Sequence, residues 1–152
     1  MSLSSEATRL EELRQQIEAA EYDSGNNADF LDRGNPNPSQ KKQAEELIRK
    51  KNAEAAELKS QLRALVQNTP RQVIEEWVQF HTNILQSILS ENSKDINAGT
   101  RKHVAKETLD NWQAVLNGTK EYVSINWYFL KDYREKVKIT AKAKNKGWKF
   151  WQ

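Results

Sequence analysis

The amino-acid sequence predicts an all-α protein, an N-terminal helical hairpin or coiled coil followed by a small three-helix bundle. Three observations carry that expectation. Ala, Glu, Lys, Leu and Gln, all good helix formers, dominate the 152 residues. The five Gly and three Pro fall mostly between segments, where chain breaks belong. Most segments between them repeat apolar residues at the three-and-four spacing that lines one face of a helix.

Leu3, Leu10 and Ile17 lie seven apart, with Leu13 and Ala20 at complementary positions. Residues 4–21 thus form an amphipathic helix of about two and a half heptads, suited to lie on the protein's own body or to pair with a second copy. Residues 22–38, YDSGNNADFLDRGNPNP, are rich in turn-forming Gly, Asn, Asp and Pro and are expected to form a loop. Within it, Phe30 and Leu31 are expected to tack the loop onto neighbouring helices. Asn37 as cap, Pro38 at the first helical position and Gln40 as the return arm of a capping box start a second helix. Its seam of Ala44, Ile48, Ala55, Leu58, Leu62 and Leu65 is narrow, so it should meet one partner helix only, either the first segment or a copy from another subunit. Residues 1–68 are therefore read as one polar helical unit.

The strongest stripe follows, in TPRQVIEEWVQFHTNILQSIL from Thr69 to Leu89. Val73, Ile74, Trp77, Val78, His81, Ile84, Leu85, Ile88 and Leu89 share one face, and Thr69, Pro70 and Gln72 are expected to supply its start. Thr100 is expected to cap the next helix, which carries Val104, Thr108, Leu109, Trp112, Val115 and Leu116 and ends at Asn117-Gly118. From Thr119 onward a third long helix is expected. Tyr122, Ile125, Phe129, Tyr133 and Val137 fit one of its faces, and Val123, Trp127 and Leu130 make it apolar on the other. The run VSINWYF also suits a strand, but a lone strand would leave its backbone groups unpaired, so helix is preferred over 122–143. Residues 69–145 thus form the bundle.

Charge is distributed unevenly. Lys131 to Gln152 holds eight basic and two acidic residues, a net +6, and with +3 overall the first 130 residues carry −3. The end of that segment, residues 146–152, is a basic aromatic tail in which Trp148, Phe150 and Trp151 alternate with Lys146 and Lys149. With the preceding Lys142 and Lys144, these are the candidate partner-binding residues. Aromatic and cationic side chains concentrate binding energy in protein interfaces, and they also grip nucleic acid or anionic membrane, where rings insert or stack while lysines meet phosphate; the remaining reading is that Gly147 turns the chain back and the aromatics cover the open end of the protein's own bundle.

Catalytic and metal chemistry find little support. No Gly-rich phosphate loop, nucleophile elbow, HExxH motif or calcium loop occurs, and without cysteine there is neither a disulfide nor a thiolate site. His81 is expected to be a core imidazole stacked on Trp77 with one nitrogen bonded to a helix neighbour. His103 and Glu107, one turn apart, are expected to form a surface ion pair. Glu75 and Glu76 are adjacent carboxylates of the kind that solubilise helices. No catalytic residue, cofactor or metal ligand is assigned.

The expected function is that of a non-catalytic structural, assembly or adaptor protein, binding a protein partner or larger assembly, or itself, through the N-terminal helices and the tail. Binding of nucleic acid or an anionic membrane surface through the basic end is the alternative. The N-terminus has no secretory pattern and no apolar run is long enough to span a bilayer, so an intracellular, soluble protein is expected.

Overall fold

The first helix, α1 (Ser5–Arg33), is the axis against which the remaining chain is laid. Ser4 caps it by accepting from the Ala7 amide, and Ser4 in turn donates its own amide and hydroxyl to Glu76 at 2.6 and 2.7 Å. The computed structural model describes residues 3–92, 94–126 and 128–144, with side chains as far as Val137. After α1 come α2 (Pro38–Gln67), α3 (Arg71–Leu89), α4 (Ala98–Leu116) and α5 (Lys131–Lys144), and the described residues contain no strand. None of these helices is long and apolar enough to cross a membrane.

α1 and α2 form an antiparallel hairpin whose register is set by Ser24 Oγ donating to Asn52 Oδ1 and by the Lys59–Glu21 ion pair. The loop expected over residues 22–38 is confined to 34–37, because α1 continues through the Gly- and Asn-rich stretch. Interior Gly and Asn each weaken a helix by only about 1 kcal/mol or less, and packing of the continuing seam against α2 outweighs that deficit. The turn itself needs special residues. Asn35 has a positive φ of 51°, and a Cβ on Gly34 would lie 2.7 Å from the Phe30 carbonyl oxygen. The Asn37–Gln40 capping box then starts α2 as the sequence predicts.

Two expected caps are not used. Thr69 Oγ1 donates back to the Leu65 carbonyl and so closes α2 instead of opening α3, and neither α3 nor α4 has a side-chain cap. The third bundle helix also starts later than expected. Residues 119–126 and 128–130 are outside any helix, and Val123 and Ile125 are buried while Ser124 and Asn126 are exposed, the period-two pattern of an extended chain. The β-branched and aromatic composition of this stretch wins locally, and its backbone finds partners outside any ladder: Arg14 donates to the Val123 carbonyl at 3.3 Å. Asn126 accepts from the Tyr128 and Phe129 amides, and α5 begins just after.

The core is continuous from the hairpin into the bundle. Leu3 just before α1, Leu10, Leu13 and Ile17 of α1 and Leu62 of α2 join Trp77, Leu85, Trp112, Leu130 and Tyr133 in one buried cluster. Burying the four side chains of this N-terminal segment stabilises the fold by about 6–12 kcal/mol, comparable to the whole stability of a typical domain. A chain beginning at Asn68 is therefore expected to be unfolded, with little cooperative helical signal in a thermal melt; a cooperative transition in that fragment would show that α1 is dispensable.

Candidate functional site

The most polar part of the interior lies where α1, α3, α4 and α5 meet. Glu11 and Arg14, one turn apart on α1, are fully buried, as is His81 of α3. Arg14 grips the Glu11 carboxylate through Nε and Nη2, the latter at 2.8 Å, and reaches Glu18 with Nη1 at 2.9 Å. Glu11 also accepts from Gln15 Nε2 at 2.9 Å and from the Trp77 indole at 3.0 Å. His81 Nε2 lies 2.6 Å from Glu11 Oε1, and His81 Nδ1 lies 2.6 Å from the Tyr133 hydroxyl of α5. That hydroxyl accepts from the Trp112 indole of α4 at 2.9 Å.

One arrangement of protons is consistent with all of these bonds. Because the Tyr133 oxygen already accepts from Trp112, its own hydrogen points at His81 Nδ1, which must then be unprotonated. His81 is accordingly the neutral Nε2–H tautomer, donating to an ionised Glu11. The electrostatics agree. Burial opposes charge on Glu11, but the Arg14 guanidinium and then His81 outweigh it and hold the carboxyl far below the usual range. Burial dominates at His81 and lowers its basicity against the pull of Glu11. Burial likewise drives the Tyr133 hydroxyl well upward, so it stays protonated. Arg14 remains charged because Glu11 and Glu18 overcome its desolvation.

The aromatic groups are fitted around these bonds. His81 stacks on Trp112, with centroids 3.9 Å apart and planes 9° from parallel, while Trp77 meets both His81 and Trp112 edge-on. His81 is thus the expected core imidazole, but its stacking partner is Trp112 and not Trp77, and both its nitrogens bond to other helices. A cleft of about 480 Å³ opens beside the network, with Arg14, Gln15, Glu18, Tyr22, Ser124 and Val137 among its lining residues. Glu21, also in the cleft lining, accepts from the Tyr122 hydroxyl and pairs with Lys59, which lies over the Tyr122 ring. These contacts latch the extended segment to the hairpin.

The side chains of the candidate partner-binding residues are not among those described. Lys142 and Lys144 fall in the last turns of α5, with side chains outside the described part, and Lys146, Trp148, Lys149, Phe150 and Trp151 lie outside the described residues altogether. His103 pairs with Glu107 at 2.7 Å on the surface, and Glu76 holds the start of α1. Among the described residues no cluster of His, Asp and Glu is placed to hold a metal ion. No known protein family, curated protein or solved structure matches this chain.

The sequence reading passed over Glu11 and Arg14. The available signal was their position immediately after Leu10 and Leu13, on a helix whose buried face is wider than a two-helix seam requires.

Glu11→Gln removes one partner of a buried ion pair and is expected to lower stability by about 3–5 kcal/mol in urea denaturation. Tyr133→Phe strands the Trp112 N–H and His81 Nδ1 and should cost about 1–3 kcal/mol. An effect within error for both would mean the network is not closed in solution.

The pH dependence has a definite sign. His81 is less basic folded than unfolded, so its contribution is intact above about pH 6.5 and declines below it by up to about 1.4 kcal/mol per pH unit, as the unfolded chain gains a proton the folded chain resists. Glu11, more acidic when folded, adds a second loss below about pH 4.3. Urea midpoints measured from pH 8 to 4 test this, and a flat profile between pH 6.5 and 5 would contradict it.

Proposed function

We propose that this chain is a non-catalytic assembly or adaptor protein that binds a protein partner through the far half of its α1–α2 hairpin and through its basic aromatic tail. The supporting observation is how little the far half of the hairpin contributes to the protein's own core. Past Ser24 on α1 and before Ala55 on α2, the only buried side chain is Ala44. Two helical arms, residues 25–33 of α1 and 38–54 of α2, roughly 14 and 26 Å long, are held in order with almost no apolar burial of their own. They expose Tyr22 at the base of the arm (64%), Leu47 (43%) and Phe30 (36%). An ordered arm that adds little to the fold is suited to contacts elsewhere, and the aromatic tail supplies the side chains in which interface energy concentrates.

Affinity capture with the full chain is expected to recover a discrete protein complex that survives about 0.5 M salt, since apolar contacts are not screened. Leu47→Asp, or joint replacement of Trp148, Phe150 and Trp151 by Ala, should weaken that complex at least about 30-fold with the melting temperature unchanged. A complex dissolved by moderate salt would point instead to phosphate recognition by the basic end. Capture unaffected by either set of substitutions would refute the assignment of these surfaces.

A further inference from the structure

The outer face of the hairpin arm has a charge order that fits a copy of itself. On α2, Lys41, Lys42, Glu45 and Glu46 occupy adjacent turns, and all four are exposed. At 100° per residue their mean direction is about 120° from the seam of Ala44, Ala55 and Leu62 that faces α1, so the face they share is on the outer side of the hairpin, with Lys41 at its inner edge. They also lie on the opposite side of α2 from Leu47. Intrahelical pairs are made elsewhere in the protein, between Lys51 and Glu54 farther along α2 and between Lys106 and Asp110 on α4. Among the described residues, however, none of these four side chains has an ion-pair or hydrogen-bond partner within the chain. The face carries two positive charges followed, one turn on, by two negative ones, and the same helix lacks a long-range partner for it: α2 packs chiefly on α1.

We propose that two copies of this chain pair through this face, antiparallel, about a two-fold axis passing between residues 43 and 44. That axis keeps each flank of the face on its own side and brings Lys41 opposite Glu45 and Lys42 opposite Glu46 of the second copy, each pair occurring twice, as an isologous interface demands. A parallel, in-register arrangement would set like charges against one another and is excluded by the same residues. Each exposed pair contributes only a small factor, so the association is weak and strongly dependent on salt. The inference rests on the reading of the arm as a contact surface and names a second copy as one partner for it. It uses a face separate from Leu47 and the tail, so the two can fail independently.

The test is sedimentation equilibrium of the full chain up to about 1 mM at low ionic strength, with charge exchange. The wild-type chain is expected to dimerise with rising concentration and to become monomeric in about 0.5 M salt. K41E/K42E makes the face wholly acidic and E45K/E46K makes it wholly basic. Each variant alone should remain monomeric, while their equimolar mixture recovers association at least as strong as that of the wild type. Helical circular dichroism and melting temperatures like those of the wild type identify the variants as folded, and the salt dependence of the wild-type chain stands as a test whether or not they fold. A wild-type chain that stays monomeric throughout, a dimer indifferent to salt, or folded variants whose mixture does not associate would each overturn the proposal. None of those results would bear on capture of a different protein through Leu47 and the tail.

Discussion

A single ionised carboxylate, that of Glu11, is the constraint on which the rest of the fold depends. Removed from water, it requires several donors, and the chain supplies them from Arg14 and Gln15 on its own helix and from Trp77 and His81 on α3. His81 extends the same requirement through Tyr133 to α5 and to Trp112 on α4. Four helices are thus oriented by one charge. Apolar packing alone tolerates a range of helix rotations, whereas hydrogen bonds of 2.6–3.0 Å with fixed donor directions do not. A buried ion pair adds little net stability over a well-packed apolar substitute, so its contribution here is read as specificity, selecting one set of helix rotations among several of similar energy.

That arrangement divides the hairpin into two physical regimes. Near the body, α1 is covered on several sides and its buried face includes Ala7, Leu10, Glu11, Leu13, Arg14 and Ile17. Farther out, past Ser24, α1 runs beside α2 and none of its side chains is buried, since a seam of small residues is all that two helices need. The change falls near Ser24 and Asn52, whose 2.6 Å hydrogen bond is one of the few specific contacts holding the register beyond the core. The same two helices therefore serve as core and as projecting arm.

Much of this was legible in the sequence because hydrophobic period reports burial directly. The stripe from Val73 to Leu89 reads as a core helix and is one, and the Asn37–Pro38–Gln40 pattern forms the capping box it implies. What was not legible has identifiable causes. Residues 22–33 have loop composition, yet their partner across the hairpin decides their conformation, and a partner is invisible to local composition. Residues 119–130 contain both a helical and an alternating pattern; burial of Val123 and Ile125 against the body selects the extended form. Glu11 and Arg14 look like ordinary solvent-facing charges of a polar helix. Only the presence of Trp77, His81 and Val123 around them, 66 to 109 residues away in sequence, gives them an interior role.

Those separations also set an order of events during synthesis. Glu11 and Arg14 leave the ribosome early and can pair with each other at once, but the Val123 carbonyl that Arg14 binds lies 109 residues later. At about 5–20 residues per second, α1 waits roughly 5–20 s before the last of its partners exists. Over that interval the α1–α2 hairpin, built from nearby contacts, can form and shield the apolar side of α1, while Trp77 and Trp112 reach it one after the other. Closure of the network is therefore a late step, and the nascent chain spends most of its synthesis with a charged helix face whose final neighbours have not yet been made.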